Sequence, residues 1–438
     1  MHSKRTVLSV VFAIFTAIPV AAIGPKTMTP DELRQALQAV QSAKSTDEAV
    51  AQQLAEVRLS ARLTGTPLRQ LVAMSPGPKT AQALHAIADS SAFLDPAPSE
   101  IPDRPAPSAQ EQSAMFSQAL RYAVHVLPTL PNFLATRVTE HYVDTMRGID
   151  SESVQRGGLY LLGTYRTPIA LRAGRETDDP SVLASLPGSQ AKGRGKDAKA
   201  DAGANRGLSS WGEFGPILKV VLGDSIKGKL SWARWEVEDG KTVGVLRFAI
   251  DRSISHYGVN FCCETTADFT NTSIGIPDVV SKSVFRQAGY HGTLELDRDT
   301  GTILRLTIEA DLDPSDEIKQ ASMMVEYGPV KIGDDLHICP KRSVAVSISN
   351  ARFESHGELD TAKRMLLNDV EFADYHRFGS EATLITEIPE EGGQTGKSPN
   401  PAPAAEPSPA APTTTPARPS AHGENPQAQP KAVAAILP

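Results

Sequence analysis

Three cysteines, ten histidines and one acidic loop are the groups of this 438-residue chain best suited to chemistry. Cys262 and Cys263 are adjacent in a strand-like stretch, so their thiols point to opposite faces. Cys339 lies in another such stretch. No C-x-x-C or H-x-x-x-H spacing stands beside them, which argues against zinc. It favours one structural disulfide, from Cys339 to Cys262 or Cys263, with one thiol left over. Ser255-His256 places a nucleophile type beside a base type. Neighbours on a strand face opposite ways, so the two do not make a Ser–His pair. His291, His337 and His376 are far apart and would meet only through folding. His85 lies near the apolar face of a helix, with no second ligand at helical spacing, and reads as a core or rim residue. Asp311, Asp313, Asp316 and Glu317 have the alternate spacing of a calcium loop but lack the glycine its sharp turn needs, so they read as a solvated turn. No G-x-S-x-G, H-E-x-x-H, P-loop or G-x-G-x-x-G occurs in a usable context. No catalytic residue, metal site or cofactor is assigned, and a non-enzymatic protein is expected.

The N-terminus bears on where such chemistry would take place. Lys4 and Arg5, an apolar run over 7–20 and the small residues Ala21 and Ala22 have the form of a secretory signal, with cleavage expected after Ala22. The run is shorter than the roughly 20 residues that span a bilayer. A periplasmic or secreted location follows, oxidising enough for a disulfide. The net charge is −7 and no segment concentrates Lys and Arg, which argues against a nucleic-acid partner.

Residues 28–95 read as helical. Thr29 with Glu32 makes a capping box, Pro30 takes the first helical position, and Leu33, Ala36, Leu37 and Val40 form a stripe. Further helices are expected from about 46, from 66 and after the Pro76-Gly77-Pro78 break. Residues 96–107 are a Pro-rich linker. Ser108 and Glu111 form a second capping box, opening a helix to about 127 that should cover one face of a sheet.

From 132 the apolar period becomes two, the signature of strands. Strands are expected at 133–144, 159–163, 167–175, 230–237, 242–250, 256–264, 290–297, 303–313, 321–332, 336–349, 370–378 and 383–388. Asp239-Gly240 is a favoured two-residue turn. Its register sets Trp235 opposite Gly244, and Trp232 opposite Arg247 on the other face, within reach of a cation–π contact. Gly301 suits the turn after Asp297, and Pro340 must fall at an edge or bulge. Residues 186–208 read as a flexible loop, and the Pro/Ala-rich 389–438 as a disordered tail. The fold class is α+β: an N-terminal helical segment, then a large curved antiparallel sheet, half-open like a split barrel, with a covering helix.

Several stretches are similar to an uncharacterised family of exported bacterial proteins: SSAFLDPAPSEIP, LPNFLATRVTEHYVD, SWGEFGPIL, FCCE, YHGTLELDRDTGTILRLTIEADL, MVEYGPVKIGDDLHICPKRSVA and FADYHRF. The order of a helix, a run of antiparallel strands and a hairpin with a D–TG turn more distantly resembles the outer-membrane lipoprotein-carrier fold. That resemblance implies an apolar cavity under a helical lid, and a lipid or lipidated protein as partner. Trp232, Trp235, Phe248, Leu294, Leu304 and Leu306 are then its expected lining. Three readings follow: a binding module of the cell envelope, a structural or interaction protein with the tail as spacer, and a hydrolase built on His256, His291 or His376 beside a carboxylate.

Overall fold

The computed structural model describes residues 27–42, 45–147, 155–184, 207–208, 210–238, 240–268, 278–316, 318–355 and 358–378. The expected signal segment, the loop over 186–206, the strand at 383–388 and the tail lie outside them, as do the side chains of Cys262 and Cys263.

Four short helices come first: α1 (Pro30–Ser42), α2 (Asp47–Ala55), α3 (Gly65–Ala73) and α4 (Pro78–Ser90). The capping box of α1 forms as read. Thr29 N–H donates to Glu32 Oε2 at 2.8 Å, and Glu32 N–H donates to Thr29 Oγ1 at 3.2 Å. Leu33, Leu37, Val50, Leu54, Leu71 and Leu84 meet in one buried cluster, which the short parallel pair β1 (Thr27–Met28) and β2 (Arg58–Leu59) closes. Removing such side chains from water is worth about 2 kcal/mol each, enough to hold helices too short to persist alone.

The remaining strands are β3 (Phe133–Arg147), β4 (Gln155–Arg172), β5 (Arg175–Thr177), β6 (Gly207–Leu208), β7 (Lys229–Glu238), β8 (Lys241–Ile250), β9 (Gly258–Asp268), β10 (Asp278–Gln287), β11 (Gly289–Asp297), β12 (Ile303–Asp311), β13 (Ile318–Ile332), β14 (Asp335–Ser355) and β15 (Glu358–Arg377). Among the described residues ten of them form one antiparallel sheet, ordered β5-β4-β3-β15-β14-β13-β12-β11-β8-β7. The chain meanders from β7 to β8 and from β11 to β15, leaving this sheet for β9 and β10 between them, and the early β3–β5 strands add to the far side. The two end strands do not pair, so the sheet stays open. Strands β10, β9 and β6 make a smaller sheet.

Period-two alternation gives the large sheet two faces, each covered by helices. Helix α5 (Ala109–His125) precedes the sheet, the short α6 (Pro180–Ala184) follows β5, and α7 (Pro216–Ser225) precedes β7. Helices α5 and α7 pack on one face. Met115, Phe116, Ala119, Val221 and Leu222 meet Leu246, Phe248, Tyr290, Leu294, Leu306, Ile308 and Val325 there. The α5 capping box between Ser108 and Glu111 is present. The opposite face meets the N-terminal helices, where Ala86 and Ala92 pack on Tyr142, Met324, Val344, Val346 and Leu367. The linker is docked. Asp95 binds Arg234 on one face of β7, and the Trp235 indole donates to the Pro105 carbonyl on the other at 2.9 Å. Residues 96–105 thus wrap the exposed edge of the sheet, as an unpaired edge requires.

Four sequence expectations shift. The stretches at 159–163 and 167–172 are one strand, β4, and 173–174 turn into β5. The stretch between the strands expected at 256–264 and 290–297 contains a further strand, β10. A β-bulge between Trp232 and Arg234 places Trp232 opposite Leu246 rather than Arg247. Trp232 therefore shares the core face with Trp235, their rings edge-on at 4.7 Å, and the cations over the Trp235 ring are Arg104, at 4.6 Å, and Arg298, at 5.9 Å. A second bulge pairs Leu296 with Ile303 and leaves Leu304 out of the core cluster. Pro340 falls at a bulge on β14, as its missing N–H demands.

Gly301 has φ +71°, and a Cβ there would overlap Gln118 of α5 and approach the Ala119 amide nitrogen to 2.9 Å. Gly301→Ala is expected to destabilise the protein by about 1–3 kcal/mol, through left-handed backbone cost and overpacking. The midpoint of urea unfolding measures it.

Candidate functional site

The face of β7, β8, β11 and β12 that turns away from α5 is polar. The strand registers set it out in rows. Lys229, Ala249, His291 and Glu309 lie across one row, and Ser231, Arg247, Thr293 and Thr307 across the next. Arg234, Val245, Glu295 and Arg305 form the third. The segment Ala92–Asp95 that follows α4 crosses above these rows and borders an open cavity of about 650 Å³. Phe93 and Leu94 contribute apolar surface to the cavity, and the rows supply charges and hydroxyls.

Buried ion pairs hold the overlying segment. Arg62 reaches Glu236 with one guanidinium nitrogen and Glu295 with the other, at 2.8 Å to Glu295. Arg305 donates to the same Glu295 oxygen at 2.8 Å and to the Ala92 carbonyl. Arg62 N–H donates to the Asp95 carbonyl at 2.9 Å. Burial alone would raise the Glu295 carboxyl, but Arg305 and Arg62 hold it down at about 2. Nearer the mouth, Asp95 spans two arginines, Oδ1 to Arg234 at 2.7 Å and Oδ2 to Arg247 at 2.9 Å. These outweigh its partial burial and keep Asp95 below the usual carboxylate range. Among the described residues Lys229 has no ion-pair partner.

Two of the three histidines in the hydrolase reading have a carboxylate partner. His256 Nδ1 is 2.6 Å from Asp224 Oδ1, and His291 Nδ1 is 2.8 Å from Asp311 Oδ1. His376 instead meets the Asp374 carbonyl. The three do not converge, and only His291 borders the cavity. The Ser255 hydroxyl donates to the Ala288 carbonyl, while Thr293 and Thr307 hydroxyls bond each other at 2.8 Å. Among the described residues neither His256 nor His291 contacts a hydroxyl. In the acidic loop, Asp313 caps Ser315 and Asp316 pairs with Arg286.

Of the six residues expected to line a cavity, Trp235, Phe248, Leu294 and Leu306 are packed in the cluster beneath α5 and α7, with Trp232 against it. Leu304 stands outside it. Phe248 also borders the cavity on the polar face. The expected cysteine bridge is not found among the described residues: Cys339 is a free, buried thiol among Phe133, Phe214 and Val370. Burial pushes this thiol up to about 12. The strand holding Cys262 pairs there with Gly207, which abuts Ser347. Ser347 lies about 26 Å along β14 from Cys339 at roughly 3.3 Å per residue, whereas bonded cysteines need Cα atoms within about 7 Å.

A second charged cluster is buried under the other face. Arg137 donates to Glu176 and Glu213, each at 3.3 Å, and Ser343 donates to Glu213. Burial first, then the Glu213 charge, push Glu176 up to about 8. A single guanidinium does not neutralise two buried carboxylates.

These features define an open α+β sheet protein with a roofed lateral cavity. No helix among the described residues is long and apolar enough to cross a membrane. No protein-family model and no curated protein matches the chain. Among solved structures, the Pseudomonas aeruginosa MucA/MucB complex contains a chain similar at 13% identity and a TM-score of 0.17, over 60% of this chain and 94% of that one. A structure of MucB in complex with MucA(peri) gives 14%, 0.17, 60% and 93%. Likeness of this degree carries no argument about function.

Proposed function

We propose that the chain is an exported, non-enzymatic binding protein of the cell envelope that holds an amphipathic ligand in the cavity between Ala92–Asp95 and the polar sheet face. The observation that supports this is the cavity of about 650 Å³, whose lining combines Phe93 and Leu94 with charges and hydroxyls from four strands. Sites that take small molecules have this mixture of apolar surface and a few placed polar groups. A lipid, or the lipidated end of a partner, has the matching chemistry. The signal-like N-terminus supports the location. A binding role fits better than hydrolysis because the cavity histidine, His291, faces Asp311 and Glu309 and contacts no hydroxyl.

The test is native mass spectrometry of protein purified from its own envelope fraction, beside Ser231→Trp. Ser231 is exposed in the middle row of the cavity, so the indole fills the space without entering the core. A bound small molecule that the variant loses, at unchanged circular dichroism, is the expected result. Carry-over that persists in the variant would place the ligand elsewhere.

A further inference from the structure

Resting on that reading, we infer that the ligand carries an anionic group, a carboxylate or a phosphate monoester, that binds Arg234, Arg247 and Lys229 by displacing Asp95 from the two arginines. Three observations carry it. The first is the position of Asp95. One carboxylate bridges Arg234 and Arg247 with an oxygen on each, the geometry an anionic ligand would use. The carboxylate belongs to the segment above the cavity, while both arginines belong to the strands, so the chain supplies its own competitor. The second is the difference in exposure between the pairs. The Asp95 side chain is 60% exposed and Arg247 51%, whereas Arg234 is 10% exposed and also held by Glu236, and Arg62, Glu236 and Glu295 are buried. An exposed pair contributes little to stability and exchanges easily, while the buried set stays in place as a frame. The third is Lys229. It faces the same cavity, one row from Arg247, without an ion-pair partner among the described residues.

The other charged groups at the cavity fit this assignment. Glu309 and Asp311 lie on the far strand and are occupied by His291, at 3.9 and 2.8 Å. Arg305 is held by Glu295 and the Ala92 carbonyl. An anion at the Arg247 end meets Arg247, Lys229 and the Arg234 nitrogen that Asp95 vacates, while Glu236 keeps the rest of Arg234, and the apolar part of the ligand lies against Phe93 and Leu94. Freed from the arginines, Asp95 no longer ties its end of the segment to β7 and β8. The Arg62 N–H bond to its carbonyl keeps the backbone anchored, so binding loosens the mouth of the cavity and leaves its floor intact.

The experiment measures binding of dodecanoate, dodecyl phosphate and neutral dodecyl maltoside, each below its micellar concentration, to the full chain by calorimetry. Asp95→Asn and the pair Lys229→Ala/Arg247→Ala are compared with the parent. An anion should bind about tenfold tighter than the maltoside, Asp95→Asn should tighten anion binding about five- to tenfold, and the double variant should remove the preference. Whichever anion gains more identifies carboxylate or phosphate. Equal binding of all three probes with no effect of Asp95→Asn overturns the inference and leaves the cavity reading standing. Failure of all three to bind counts against both. Asp95 is exposed, so its amide variant should fold normally, and a circular dichroism spectrum matching the parent is the check.

Discussion

Replacing Arg62 with Met is expected to lower stability by about 3–5 kcal/mol, the usual cost of removing one partner from a buried ion-pair set. Arg62 sits between α2 and α3 and reaches across to the sheet, where it takes one oxygen each from Glu236 and Glu295. Its removal leaves two buried carboxylates with Arg234 and Arg305 alone. Replacing the whole set by packed apolar groups need not destabilise the protein; the asymmetry lies in leaving charges behind. The same change removes a tie between the N-terminal helices and the polar face. Protease sensitivity between 96 and 107 should therefore rise in the variant before global unfolding. Urea unfolding gives the energy and limited proteolysis gives the place. A loss below about 1 kcal/mol, in the range of exposed pairs, would show that Arg62 does not clamp the two layers.

Replacing Glu176 with Gln is expected to stabilise the protein in alkaline solution. The ordinary value for this carboxyl is 4.5, and burial with the Glu213 charge pushes it up to about 8. Between those values the folded state binds a proton that the unfolded state does not. Stability from this group therefore falls as pH rises from about 4.5 to about 8, and the loss is complete above that. The sign is opposite to that of a salt-bridged carboxylate such as Glu295, held at about 2. Gln has the shape of the protonated acid and does not ionise. Its advantage over Glu should be near zero at about pH 4–5, grow by on the order of 1.4 kcal/mol for each pH step of one in that window, and level off at a few kcal/mol above about pH 8. Unfolding midpoints of both proteins across roughly pH 5–9 measure it. Parallel curves would mean that the Arg137 site holds both carboxylates charged.

What the residue order revealed of the fold follows from which features are local. Capping boxes at Thr29 and Ser108 and the tight turns at Gly240 and Gly301 need only neighbouring residues, and they appear as read. Strand β15 was harder. Met365 and Leu367 face the N-terminal helices, while Leu366 packs toward the β6–β9 sheet. Burial on both faces hides a period of two. The bulges near Ala233 and Leu304 were invisible for another reason. One extra residue leaves the composition unchanged yet exchanges faces for everything beyond it, and so Trp232 changed sides.

The candidate site was missed because its two halves are distant in sequence. His291, Thr293, Glu295, Arg305, Thr307 and Glu309 read as the wetted side of a hairpin, and only the arrival of Phe93 and Leu94 turns that side into a cavity. One signal was available. The hairpin register sets Glu295 opposite Arg305, while Arg234 and Glu236 share a face two residues apart, so opposite charges recur on one face of adjacent hairpins. Apolar alternation drew attention instead to Leu294 and Leu306, which are solid packing beneath α5.

A dodecanoate carrying a diazirine at its far end tests the central assignment most directly. Photolysis on the full chain, followed by peptide mapping, reports which face of the sheet the ligand meets. Labels within 92–95, 229–234, 247–249 and 291–293 are the expected result. Labels on α5 or α7, or on Leu294 and Leu306 beneath them, would contradict it and return the ligand to the apolar face.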